Sequence, residues 1–276
     1  MTDQKNMRPI GIFDSGVGGL TVLKALRERM PHENFVYLGD TARLPYGTKS
    51  AASILRYARQ AARHLQQRDI KLLVIACNTA SSVALEELQN ALQPLPVVGV
   101  VRPGASAAVD ACPGGRHLVL ATEATVTLHA YRNAIMALDA NATVHELPCE
   151  LLVSLAEEGW TTGIVAEAIV RQYLRPYISD ALDSGPDSII LGCTHFPILR
   201  DTIRVVAGDA RSIIDSAGTT ATSVESLLHS AGLLRAQPGS GRLEFLATDG
   251  ARRFARVGGA FLGADLSAED VCLVDL

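Results

Sequence analysis

Two cysteines of this chain close two similar segments. The run KLLVIA leads into Cys77-Asn78-Thr79, and SIILG leads into Cys193-Thr194-His195. Each run is apolar and β-rich, and each ends at a thiol followed by small hydroxyl or amide residues. A single strand-end cysteine is most often inert packing. Packing explains neither the polar residues that follow both thiols nor the repetition, so the pair is read as chemistry. In an open α/β sheet, ligands sit outside the carboxyl ends of the strands. Two such strands would bring two thiols to one crevice, an arrangement suited to chemistry that is symmetric about a substrate.

Three further groups belong to the same edge. Asp14-Ser15-Gly16-Val17-Gly18-Gly19 lies between a strand and a helix, where glycine permits tight turns and helix N–H groups can receive an anion. It lacks the spaced glycines of a dinucleotide site, and no P-loop lysine-hydroxyl pair follows it. Residues 40–48, DTARLPYGT, follow the second strand and form a candidate pocket wall, with Tyr46 and Gly47 able to offer backbone groups. His195 lies two residues beyond Cys193 at the start of FPIL and is a candidate assistant to that thiol. Neither Cys-x-His nor Cys-Asn-Thr has metal-ligand spacing, so no metal site is expected. No Cys-x-x-Cys occurs, which argues against thiol-disulfide exchange.

The elements that must position these residues are strands and helices in alternation. PIGIF, FVYLGD and KLLVIA read as strands; TVLKALRERM, SAASILRYARQAARHLQQ and SVALEELQNAL read as helices with apolar faces. A second series opens at VVGVVRPG, where Pro103 and Gly104 are expected between a strand and the helix ASAAVDA. It continues through HLVLA, a helix TLHAYRNAIMAL, VHELP, the segment LLVSLAEEGW, the helix AEAIVRQYLRPYI and SIILG. SIIDS, LEFLAT and VCLVDL follow as strands, RAQPGSGR as a loop and RRFARVGGAFLG as a helix. Near-continuous apolar strands alternating with amphipathic helices predict an α/β fold with mainly parallel sheets covered on both faces.

Composition narrows the function. The 276 residues are 48% hydrophobic and 20% charged, with a formal net charge of −4 and no basic stripe. That balance predicts a globular protein with a small-molecule substrate, and neither nucleic acid nor membrane as partner. MTDQKNMRP has no apolar stretch of a signal peptide, and five scattered cysteines read as reduced thiols, so a cytoplasmic location is expected.

With these motifs in hand, the chain resembles the glutamate racemases of the cofactor-independent aspartate/glutamate racemase superfamily. The resemblance rests on IGIFDSGVGGLTVL, YLGDTARLPYGTKS, ACNTAS, LATEATV, LGCTHFPIL and IIDSA, in family order over almost the whole length. It implies reversible interconversion of L- and D-glutamate without a cofactor, feeding D-glutamate to peptidoglycan. It implies that Cys77 and Cys193 are the acid/base thiols, with Asp14 and His195 as polar assistants. Asp14, Ser15, Tyr46, Gly47, Asn78, Thr79, Thr194 and His195 would bind substrate. Glu157 aligns with a carboxylate that the family places near the substrate ammonium, although Glu150 and Ser154 stand where prolines are common. The resemblance also implies two similar doubly wound lobes with the active site in the cleft between them: residues 1–99 with 211–276 carrying Cys77, and residues 100–210 carrying Cys193. SIIDS to VCLVDL would then complete the first sheet, and the molecule would be a homodimer. The alternatives are an aspartate or other amino-acid racemase of the same superfamily, separable by turnover of each amino acid, and a non-catalytic amino-acid-binding module, which would show no α-deuterium exchange.

Overall fold

The computed structural model describes residues 5–178, 185–235 and 239–276. Three of the eight residues of RAQPGSGR, 236–238, lie outside the described residues. The first series runs β1 (Ile10–Asp14), α1 (Leu20–Arg29), β2 (Phe35–Gly39), α2 (Ala51–Gln66), β3 (Leu72–Ile75), α3 (Asn78–Ala91) and β4 (Val97–Gly99). Strands β1, β2 and β3 are buried along their whole length, which is why their sequences are apolar without alternation. Helix α2 starts where the Ser50 hydroxyl accepts the Ser53 N–H, and it turns Ile54, Ala58, Ala62 and Leu65 inward.

The second series is α4 (Val101–Ala111), β5 (Arg116–Ala121), α5 (Glu123–Thr127), α6 (Ala130–Leu138), β6 (Thr143–Pro148), α7 (Glu150–Glu157), α8 (Gly163–Leu174), β7 (Ser188–Gly192), α9 (Arg200–Ala207) and β8 (Ser212–Asp215). The chain then returns through α10 (Ser216–Ser230) to β9 (Leu243–Ala247), α11 (Ala251–Leu262) and β10 (Val271–Leu273). Two sheets result, ordered β10-β9-β2-β1-β3-β4 and β6-β5-β7-β8, with every pairing parallel. The lobes are therefore α/β layers of the expected kind.

Three local expectations are corrected. Pro103 and Gly104 lie inside the first turn of α4 rather than ahead of it. A first-turn proline gives up an N–H that has no intrahelical acceptor, so the helix absorbs it. The helix expected over TLHAYRNAIMAL is broken at His129, whose φ of 51° is left-handed, and α6 begins after it. SIIDS does not join the first sheet: β8 pairs with β7, Ile190 opposite Ile214, as the outer strand of the second. The crossover through α9 is short and fits a right-handed unit between adjacent parallel strands. Only β9 and β10 complete the first sheet.

At the end of the first sheet remote from the thiols, a buried ion pair gathers distant segments. Lys71 Nζ donates to Glu33 at 2.5 Å and to the carbonyls of Asn6 and Leu233 at 2.7 and 2.9 Å. The second Glu33 oxygen accepts the Arg235 N–H at 2.8 Å. These bonds fasten the start of β3 to the chain returning from α10.

Candidate active site

Strand β1 delivers Asp14 to the carboxyl edge of the first sheet, fully buried, with one carboxylate oxygen accepting the Gly16 N–H at 2.9 Å. Burial pushes this carboxyl above its ordinary range, against the pull of His195 and nearby backbone N–H groups. The glycines after it serve close approach. A Cβ on Gly18 would lie 2.5 Å from both His195 Nδ1 and Thr194 Oγ1. The Thr21 hydroxyl reaches the Thr194 carbonyl at 3.0 Å, so the loop after β1 grips the segment after β7.

Cys77 ends the connection from β3 and caps α3, its Sγ accepting the Ala80 N–H at 3.4 Å. Burial pushes this thiol up to about 12, and the neighbouring Asp14 adds to the shift. Cys193 follows β7 and lies 3.7 Å from His195 Nδ1. The other ring nitrogen is 3.1 Å from Glu157 Oε1, and Arg253 donates to Glu157 Oε2 at 2.6 Å. Burial alone would discharge the ring, yet the neighbouring sulfur, Glu157 and Asp14 outweigh it and raise His195 to about 10. Its hydrogen bond to His195 holds Glu157 below the usual carboxylate range, against the opposing effect of burial. Thiol, imidazole, carboxylate and guanidinium thus form one chain of contacts, with the Phe261 ring against His195.

The remaining wall comes from both lobes. Tyr46 donates its hydroxyl to Asp40, 2.5 Å distant, and its ring packs on Phe13 and Tyr57. This latch sets the turn Tyr46–Thr48 so tightly that a Cβ on Gly47 would lie 2.9 Å from Thr122 Cβ. The hydroxyl of Thr79 meets those of Thr122 and Thr125 at 2.9 and 3.2 Å, a three-hydroxyl ring across the cleft. Asn78 Oδ1 accepts a hydrogen bond from Tyr131 of α6.

One small cavity of about 40 Å³ joins these groups. Both thiols line it, as do Ser15, Tyr46, Gly47, Asn78, Thr79, Thr194 and His195. Asp14 stands behind the wall, 3.5 Å from the Thr194 hydroxyl. Glu157 is not in the cavity: it backs His195 and faces a separate cleft beside Arg253 and Phe254. Pro45, Thr122, Glu150 and Val153 also line the cavity, none of them among the expected site residues. LATEATV carried Thr122, and the missing proline at Glu150 marked a changed loop; there the Glu150 carboxylate accepts the Glu123 N–H at the start of α5. Among the described residues, no group of three or more His, Cys, Asp or Glu could hold a metal ion, and no helix is long and apolar enough to cross a membrane.

Comparison with known proteins gives concordant matches. Residues 20–224 match the Asp/Glu/Hydantoin racemase family. A glutamate racemase of Geobacter metallireducens is 46% identical over 269 residues, 98% of this chain and 97% of that one. The crystal structure of a glutamate racemase from Francisella tularensis in complex with D-glutamate superposes with a TM-score of 0.89 at 35% identity, covering 98% of both chains. That of Thermus thermophilus, in complex with beta-chloro-D-alanine, does so at 0.87 and 40% identity, again over 98% of each.

Proposed function

The chain belongs to the Asp/Glu/hydantoin racemase family and is an amino-acid racemase, and from that premise we propose that it interconverts L- and D-glutamate by proton transfer between two thiols. The observation that carries this reading is the meeting of Cys77 and Cys193, each from the strand end of a different sheet, on one buried cavity.

Racemisation removes a weakly acidic proton from Cα and returns one to the opposite face. A single base cannot serve both faces without turning the substrate over; two sulfurs facing each other can. One acts as thiolate base and the other as thiol acid, and the roles exchange with the hand of the substrate. The pocket supports such a pair of opposite states. Burial and Asp14 hold Cys77 in its thiol form, while a protonated His195 gives any charge developing on the Cys193 sulfur a cationic neighbour. A substrate ammonium entering beside Asp14 and Ser15 would draw Cys77 back toward its thiolate. Hydroxyls of Thr79 and Thr194, the Asn78 amide and the Gly47 backbone are preorganised donors for the substrate carboxylates. Asp14 and His195 assist the two thiols, and Glu157 acts through His195. The D-glutamate formed supplies peptidoglycan. The enzyme works in the reducing cytoplasm, where both thiols stay free, as a homodimer of two-lobed subunits.

The test is circular dichroism of the purified protein with L-glutamate and with D-glutamate, and with aspartate for comparison, in D₂O with no added cofactor. Both glutamate enantiomers should converge on the racemate with deuterium at Cα. Cys77→Ser and Cys193→Ser should each slow this by at least about 10³-fold in both directions while glutamate still binds. Normal racemisation by either variant removes the two-thiol reading.

A further inference from the structure

Asn78 presents its amide to the cavity in only one of two possible ways. Its Oδ1 accepts a 2.7 Å hydrogen bond from the Tyr131 hydroxyl, while its Nδ2 is buried with no hydrogen-bond partner among the described residues. An unpaired buried N–H is costly. One kept beside two thiols, on a residue that lines their cavity, is a donor held for an incoming acceptor.

The tyrosine decides which end of the amide faces inward. Tyr131 makes no other hydrogen bond among the described residues. Were the amide turned over, Nδ2 would donate to the phenol oxygen and the hydroxyl proton would lose its acceptor in a fully buried site. Only the observed orientation satisfies the hydroxyl, and it leaves N–H rather than C=O as the unpaired end of an amide on a cavity-lining residue. The ring has a fitted slot: a Cβ on Gly104 would lie 3.2 Å from Tyr131 Cε1, and one on Gly192 would lie 3.0 Å from Cε2. Tyr131 belongs to the second lobe and Asn78 to the first, so the amide is set only when the lobes are together.

We propose that Tyr131 is a positioning residue that fixes the Asn78 amide with Nδ2 toward the cavity, where it donates to a carboxylate oxygen of the substrate. The assignment rests on the glutamate racemase reading above. It also accounts for Gly104 and Gly192, whose missing side chains make room for the ring.

A double-mutant cycle tests it. Tyr131→Phe should lower kcat/KM for glutamate about tenfold when Asn78 is present, the loss of one well-placed hydrogen bond, and less than about twofold in an Asn78→Ala background. A purely structural role would give the same factor in both backgrounds, and that result overturns the proposal. Gly104→Ala supplies an independent arm that keeps the hydroxyl. Alanine's helix preference, about 1 kcal/mol, offsets part of the cost of crowding, so the protein should still fold, while displacement of the ring should lower kcat/KM about threefold. If Tyr131→Phe does not fold, this arm decides, and an unchanged kcat/KM there overturns the proposal. A wild-type protein that fails to racemise glutamate removes the functional reading and this inference together. A wild-type racemase with an additive cycle removes the inference alone.

Discussion

His195 is the residue whose ionisation the rest of the site is built to hold. Its partners raise it from 6.5 to about 10, so the stabilisation that they give the charged ring is complete below about pH 6.5 and is lost as pH rises through 10. The difference in melting temperature between wild type and His195→Gln should therefore shrink across that window. A gap independent of pH would show that the ring is not charged in the folded protein. Glu157 governs the same proton from behind. Glu157→Gln removes an anionic partner, so the alkaline limb of the pH–rate profile should move to lower pH with little change in glutamate affinity. A large loss of affinity with an unmoved limb would instead put Glu157 on the substrate. Residue spacing could not separate these two roles. The alignment of Glu157 with a substrate-side carboxylate was legible in the sequence, whereas its turn toward His195 and Arg253 depends on how α7 meets α11.

At the scale of single elements, the turn Tyr46–Thr48 is held by a side-chain latch in addition to its own backbone bond, in which the Lys49 N–H donates to the Tyr46 carbonyl at 3.0 Å. Asp40 takes the Tyr46 hydroxyl and also binds Arg43 and Thr248, which ties the turn to the segment after β9. Asp40→Ala should cost about 2–3 kcal/mol in chemical denaturation, because it strands buried donors, and should raise KM through a loosened Gly47. Unchanged stability would mean that the turn holds itself. Elements whose identity is local were legible in the sequence: the apolar runs at β1, β3 and β7, and the 3.6-residue face of α2, declare themselves over a few residues. The two thiols and the Tyr46–Gly47 wall followed from their places at the strand ends, and the rest of the expected lining from the family resemblance. What could not be read depended on distant partners or on one torsion angle. Ile213 and Ile214 suit either sheet, and only the crossover through α9 commits them to the second. The break at His129 has no glycine or proline to announce it.

In the molecule as a whole, the two lobes meet across a small pocket. A cavity of about 40 Å³ is little larger than the ~30 Å³ share of one water and far below the ~300 Å³ at which ligand pockets begin. Admission of glutamate is therefore expected to part the lobes, breaking the bonds between Thr79 and Thr122, Tyr131 and Asn78, and Arg253 and Glu157. Hydrogen exchange should thus be measurably faster at Tyr46–Thr48 and Glu123–Thr127 in the free protein than with saturating D-glutamate. Equal rates in the two states would mean that substrate enters without this opening. The shared first sheet has a further consequence for how the chain is made. Strand β2 lies between β1 and β9, so its outer row of amides and carbonyls waits for a partner encoded far downstream. On the ribosome, at about 5–20 residues per second, that edge stays bare for roughly 10–40 s. The second sheet has all four of its strands in one uninterrupted stretch and can assemble during that interval. The nascent protein is most open to mispairing not while its first strands emerge, but while it waits for β9 to arrive.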